Sequence, residues 1–259
     1  MSRTLSIDGD HLFFLSLTGE KVLDEQGNPI KQDGKFVYRP RTFEESCKIV
    51  DSYLTSLLNI TFAEGYVGFF GGSSASRLAV YDQYKANRKG REPLPNLDLM
   101  KSYLREKWGF YHLKLDVVGN TYETDDYVVS FARQNDAIIV SPDKDELMLV
   151  GRHFNPMKMM WIETTAEEAK LAFFQDLIVG QAGDNIKGIK SLGEKAAKTI
   201  LNNPLNYRIN VFETYINTYG ESLGIQEFYK NYVCLKLKED LDVSQFKVIE
   251  WKNNIEFLQ

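Results

Sequence analysis

Residues 136–145 read DAIIVSPDKD. The run Ala137–Val140 is apolar at every position, which predicts a short strand buried on both faces. Asp143 and Asp145 follow it at once, and their alternation lets both face one point beyond the strand end. Working outward, RTLSID at 3–8 alternates toward an apolar strand ending at Asp8, and GYVGFF at 65–70 and HLKLDVV at 112–118 read the same way. Helical patterns lie between them. Over 42–58, Phe43, Cys47, Val50, Leu54, Leu57 and Leu58 recur at helical spacing behind a capping box of Thr42 and Glu45. Thr165 and Glu168 repeat that start signal before AKLAFFQDLIVG. The fold class is therefore α/β, a mostly parallel central sheet flanked by helices, with functional residues gathered at the strands' carboxyl ends. Segment 19–38 carries the turn signals Asn28-Pro29 and Asp33-Gly34 and reads as an inserted hairpin or loop. After about residue 183 the pattern is all helical, so 1–182 is expected to form the α/β domain and 183–259 a helical subdomain packed on it.

With 259 residues and 43% apolar content, the chain can bury a sizeable core. Cys47 and Cys234 lie far apart, with no second Cys or His at ligand spacing, which argues against a disulfide framework or a zinc site and suits a reducing cytoplasm. No apolar stretch approaches membrane-spanning length, and MSRTLSID runs into a strand pattern instead of a signal peptide. A cytoplasmic monomer with no membrane partner is expected. The net charge of -5 blends clusters of opposite purpose, so acidic and basic patches have to be read separately.

Carboxylates fall just past apolar runs in four distant clusters: Asp8 with Asp10, Glu123 with Asp125 and Asp126, Asp143 with Asp145, and Asp184. Each has a plainer reading. D-x-D can be a solvated turn or a helix cap, and acids in the first turn of the helix after Glu123 suit its dipole without any metal. Four such accidents are less probable than one shared cation, since like charges packed together raise each other's pKa and cost stability. An oxygen-only ligand set suits Mg²⁺ or Mn²⁺. YKANRKGRE at 84–92 concentrates Lys85, Arg88, Lys89 and Arg91, with Arg77 shortly before, and could be a solvated face. DNIKGIKSLGEKAAKTIL at 184–201 sets a Gly-containing turn between two short helical patterns, where turn amides and a helix N-terminus can hold a phosphate without reading bases. Lys187, Lys190, Lys195 and Lys198 line that element.

From IDGD at 7–10 through R-x6-YKANRKG, ETDD, SPDKD and GDNIKGIKSLGEKAA to YVCLKLKEDLDV, the chain resembles the 5′ nuclease family. That family includes flap endonucleases, the 5′-nuclease domain of bacterial DNA polymerase I and, most like this chain, phage-encoded 5′–3′ exonucleases. The resemblance implies a PIN-like sheet, a helical arch near 77–110 and a C-terminal DNA-binding subdomain with a helix-hairpin-helix at 184–201 that also takes K⁺. By the same resemblance Asp8, Glu123 and Asp125 hold one metal, Asp143, Asp145 and Asp184 a second, and Asp126 takes part. Lys85 and Arg88 would reach the scissile phosphate from the base of the arch, with Tyr84 near the terminal nucleotide. Arg77, Lys89, Lys187, Gly188, Lys190, Gly193 and Lys195 would contact DNA. The implied activity is metal-dependent 5′–3′ exonuclease or flap endonuclease cleavage of DNA, extending to RNA primers in hybrids, by a two-metal mechanism.

Four residues at three places depart from the family pattern. Gly71 and Gly72 stand where relatives place an Asp after the second strand, Gln181 stands where bacterial and phage relatives carry an Asp, and Ser191 replaces a hairpin Gly. Gly71, Gly72 and Gln181 motivate an alternative, a catalytically weakened DNA-binding relative. A third reading, a phosphatase with Asp8 as nucleophile and Asp10 as acid/base, leaves the basic segment and the hairpin unexplained.

Overall fold

The computed structural model describes residues 3–251. Strand β1 (Thr4–Asp8) lies in the middle of the main sheet, and its alternation decides what covers each face. Leu5 and Ile7 turn into a core shared with helices α1 (Asp10–Leu17) and α2 (Phe43–Ile60). Ser6 turns the other way, and its hydroxyl donates to the Val128 carbonyl at 2.8 Å. The α2 capping box forms as expected, with Thr42 accepting from the Glu45 amide and Glu45 from the Thr42 amide. Strand β2 (Gly65–Phe70) is buried at every residue. Tyr66 and Phe70 join the first core, while Val67 and Phe69 join a second one on the opposite face. Each fully buried Leu, Ile or Phe in these cores contributes about 1.5–3 kcal/mol.

Helix α3 (Leu97–Trp108) buries Met100, Leu104 and Trp108 in the first core. The segment read as a strand at 112–118 is corrected. Only Tyr111–His112 is extended, as β3, and Leu113–Asp116 is a single helical turn in which the Asp116 carboxylate accepts from the His112 amide at 2.6 Å. The alternation misled because Leu113 alone is inside, while Leu115 and Val118 are exposed. Helix α4 (Thr124–Asn135) lays Val128, Val129 and Phe131 against the second face. Then follow β4 (Ile138–Val140), β5 (Gly151–Asn155) and β6 (Met160–Thr164).

Helix α5 (Ala166–Val179), started by the Thr165–Glu168 capping box, packs with α6 (Glu194–Ile200), α7 (Tyr207–Tyr219) and α8 (Glu221–Leu235) around Leu177, Ile178, Val211 and Tyr215. The expected helical C-terminal region is present, but the chain then returns to the sheet. Leu237, Val243 and Phe246 enter the second core, and β7 (Ile249–Glu250) pairs antiparallel with the start of β2. The sheet order is β6-β5-β4-β1-β2, with β3 and β7 sharing the outer edge of β2. Pairs among β1 to β5 are parallel, so the ends of β1, β2 and β4 open on one side. The insertion after α1 holds two short antiparallel ladders, Glu20–Lys21 on Tyr38–Arg39 and Lys31–Gln32 on Lys35–Phe36. In the 77–110 region the chain holds two short turns, Ala75–Leu78 and Ala86–Arg88, and then α3, which is packed into the core.

Candidate active site

Asp8 ends β1 beside β4, and its carboxylate accepts from the Asp10 amide at 2.9 Å and, at 3.5 Å, from the Ser141 hydroxyl. Burial first, then the charges of Asp10 and Asp143, push it up to about 7. Asp10 ties three segments together, accepting from the Gly71 amide at 2.9 Å and the Thr124 hydroxyl at 2.6 Å. Asp143 caps the turn after β4 by accepting from the Asp145 amide at 3.0 Å. Asp145 is likewise pushed up to about 7 by burial, then by Asp143, Asp176 and, more weakly, Asp184. The Gln181 amide donates to Asp145 at 2.8 Å and to Asp176 at 2.7 Å. Asp176 escapes a reading of sequence; its only mark there is being a lone acid in the apolar run FFQDLIV. Burial raises its pKa as well.

A second group centres on Glu123, which precedes α4. Its carboxylate accepts from Lys85 at 2.7 Å, Tyr84 at 2.9 Å, Arg77 at 3.0 Å and the Ser74 hydroxyl. Burial works to raise its pKa, but the Lys85 and Arg77 cations outweigh that and hold it below the usual range. Asp125 is held well above it, by burial and then by Asp126. Two expectations need correcting. Asp126 is fully buried with both oxygens taken, by a bidentate Arg77 at 2.7 and 2.9 Å and by the amides of Glu123 and Lys238, so it is a structural anchor instead of a metal ligand. Arg77 is not a DNA contact: it is 3% exposed, and its Nε donates to the Cys234 carbonyl.

The basic segment lies across these acids. Tyr84 is 3% exposed, and its hydroxyl stands 2.9 Å from both Glu123 and Asp184, so it links two carboxylates and is not open to a terminal nucleotide. Lys85 takes a left-handed backbone (φ +54°), a conformation costly for a non-glycine residue. It donates its amide to the Asp184 carbonyl at 2.9 Å and holds Nζ 3.7 Å from the Asp184 carboxylate, which also pairs with Arg88. Asn87 fastens the segment to the carbonyls of Ala182 and Gly183 at 3.0 and 3.2 Å. Lys89, Lys187, Lys190 and Lys195 are exposed. Of the hairpin expected at 184–201, the first helix is only the turn Ala182–Asp184, and Ser191 sits at φ +63°, where the usual Gly would be at ease. A Cβ on Gly188 would stand 2.2 Å from the Ile178 carbonyl, so this glycine lets the hairpin close on α5, whereas Gly193 opens α6 with free space around it.

The departures after β2 have a steric basis. A side chain at Gly72 would put Cβ 2.3 Å from the Thr124 amide, and one at Gly71 (φ +68°) would put Cβ 2.6 Å from the His112 ring. A tight turn against the start of α4 thus stands where relatives carry a ligand. Among the described residues no three acids, imidazoles or thiols converge closely enough to hold an ion as the side chains stand. The donor chemistry nevertheless fits a hard dication: the groups offer only oxygen, and Asp8, Asp125 and Asp145 are held above the usual carboxylate range by burial and then by other carboxylates beside each of them. At Glu123 and Asp184 it is Lys85 and Arg88 that supply the positive charge.

No family model matches the sequence. Curated proteins do. A flap endonuclease Xni of Shewanella denitrificans is 30% identical over 181 residues, 62% of this chain and 65% of that protein. DNA polymerase I of Borreliella burgdorferi is 31% identical over 199 residues, 68% of this chain and 21% of that protein. The chain belongs to the 5′ nuclease family. A 5′-3′ exonuclease of Bacillus subtilis is 28% identical over half of this chain, and the chain spans less than two thirds of the length of each of these relatives. The 5′ nuclease fold agrees: the T5 D15 protein co-crystallised with metal ions superposes with a TM-score of 0.59 at 16% identity, covering 92% of this chain and 89% of that one.

Proposed function

We propose that the protein hydrolyses phosphodiesters near the 5′ ends of DNA, as a flap endonuclease or 5′–3′ exonuclease dependent on Mg²⁺ or Mn²⁺. The observation that carries this reading is a run of carboxylates that act on one another at one end of the sheet, Asp8 with Asp143, Asp143 with Asp145, Asp145 with Asp184 and Asp125 with Glu123, together with Lys85 bridging Glu123 and Asp184 and Arg88 paired to Asp184. Asp8, Asp143 and Asp145 would hold one ion and Glu123, Asp125 and Asp184 another, a regrouping of the sets that family resemblance implies. When bound, such ions supply an activated water and stabilise the leaving oxygen. Lys85 and Arg88 then have a second task. Released from the carboxylates, they bind the scissile phosphate and offset charge developing on it. Asp10 and the Gly71–Gly72 turn keep the ends of β1 and β2 in register with α4, and the Arg77–Asp126 pair fixes Glu123 from behind. The exposed lysines of 187–195 suit backbone contacts, so cleavage is expected to follow structure and not sequence.

The protein is proposed to act inside the cell as a monomer, and RNA primers in hybrids and a K⁺ ion at the hairpin belong to the same reading. Among the described residues no helix is long and apolar enough to cross a membrane. The test is cleavage of a 5′-flap substrate in Mg²⁺ and in Mn²⁺. Cleavage that vanishes in Asp8→Asn supports the proposal, whereas tight binding without cleavage in either metal favours a weakened DNA-binding relative, the reading that Gly71, Gly72 and Gln181 motivate.

A further inference from the structure

The insertion between α1 and α2 has two unlike faces. Its stretches form two short two-stranded ladders, in which Lys21 pairs with Tyr38 and Lys31 with Phe36, tied together where the Ile30 amide donates to the Val22 carbonyl at 2.8 Å and the Val37 amide to the Ile30 carbonyl at 2.9 Å. Directly paired residues of an antiparallel ladder share a face, and every second residue along a strand returns to it. Lys21, Lys31, Phe36 and Tyr38 therefore stand together. The side chains agree, with Lys21 Nζ 4.3 Å and Lys31 Nζ 4.8 Å from the centre of the Phe36 ring. All four are exposed, Phe36 by 40% and Tyr38 by 54%. Among the described residues neither lysine has a carboxylate partner. Of the four acids of the insertion, Glu20 is held on the other face by Arg39, Asp24 is folded into its own turn by the amides of Gln26 and Asn28, Glu25 is exposed in that turn, and Asp33 sits at the tip of the tight turn. The segment 20–39, with four acids and four bases, thus presents one face with two cations beside two aromatic rings.

We infer that this face docks a single-stranded stretch of nucleic acid, with bases stacking on Tyr38 and Phe36 and the ammonium groups of Lys21 and Lys31 meeting phosphates. Alternating cation and ring is the arrangement that holds single strands without reading sequence, because every base has a π-face and every step a phosphate. The inference rests on the proposed nuclease function and extends it from the reaction centre to the strand. Helix α1 joins the two, starting at Asp10 and ending next to the insertion, a span of about 12 Å for eight residues.

The experiment uses the full chain in EDTA, so that cleavage cannot interfere, with a fluorescent oligothymidine titrated over a salt series. Lys21→Ala/Lys31→Ala is expected to flatten the plot of log affinity against log salt by about 1.4, two single-strand phosphates at about 0.7 each. Tyr38→Ala is expected to weaken binding about tenfold with the salt slope unchanged. Unaltered melting temperatures establish that both variants fold, and Tyr38→Phe should bind as the parent does. Oligothymidine binding by both variants equal to the parent's at every salt concentration overturns the inference, as does a loss seen only toward polyglutamate, which marks an acidic protein partner. The two readings fail separately: unchanged oligothymidine binding with intact flap cleavage sinks this face alone, and altered binding with no cleavage in any metal sinks the proposed function alone.

Discussion

Lys85 should act as the protein's own cation when no metal is bound. Its ammonium lies 2.7 Å from Glu123 and 3.7 Å from Asp184, with the side chain 23% exposed. A hydrogen bond to a charged group contributes about 1.5–3 kcal/mol, and solvent around the lysine discounts the longer contact, so Lys85→Met should cost about 2 kcal/mol. For a chain of this size that is about 4–8 °C in melting temperature, read by calorimetry in EDTA. In saturating Mg²⁺ the gap should narrow, because a dication neutralises the same carboxylates whether or not the lysine is present. Steady-state cleavage of a 5′ flap by the variant should show kcat reduced about a hundredfold with little change in KM, the mark of an interaction made in the transition state. An equal melting gap with and without Mg²⁺, or a loss carried entirely by KM, would refute the reasoning.

Three further outcomes follow from the same geometry. Arg77→Met leaves Asp126 buried without its cation, costing about 3–5 kcal/mol, or roughly 10 °C; Arg77→Lys should recover little of this in thermal melts because a single ammonium cannot replace the bidentate contact. Asp8 and Asp145 are raised from 3.8 to about 7, so the folded state binds protons that the unfolded state has already released. Metal-free stability should therefore fall as pH rises from about 4 to about 7, and a denaturant series in EDTA should show that slope flattened by Mg²⁺. Gly72→Asp, which places a carboxylate after β2 as relatives do, should destabilise by about 1–3 kcal/mol and fail to tighten Mn²⁺ binding in calorimetry, since its Cβ meets the Thr124 amide.

Where local rules suffice, the chain is legible. The apolar runs of β1, β2 and β4 and the capping boxes at Thr42 and Thr165 mark their elements because burial and capping act within a few residues. HLKLDVV fails since a short alternating run also fits one helical turn, and Asp116 closes that turn on His112. The β5–β6 hairpin at 151–164 passes unread, its exposed Met157, Met159, Met160 and Trp161 giving no clean alternation. In the site, strand ends announce Asp8, Asp143 and Asp145, but nothing near Arg77 reveals that its partners are Glu123 and Asp126, 46 and 49 positions away. Tyr84 is hidden in the same way, since its burial depends on Glu123 and on Asp184, 100 residues on.

The most direct measurement is anomalous diffraction from crystals soaked in Mn²⁺. The account predicts ions beside Asp8, Asp143 and Asp145 and beside Glu123, Asp125 and Asp184, with Lys85 withdrawn from Glu123. Crystals at saturating Mn²⁺ with no ion at these carboxylates, and with Lys85 still 2.7 Å from Glu123, would contradict it.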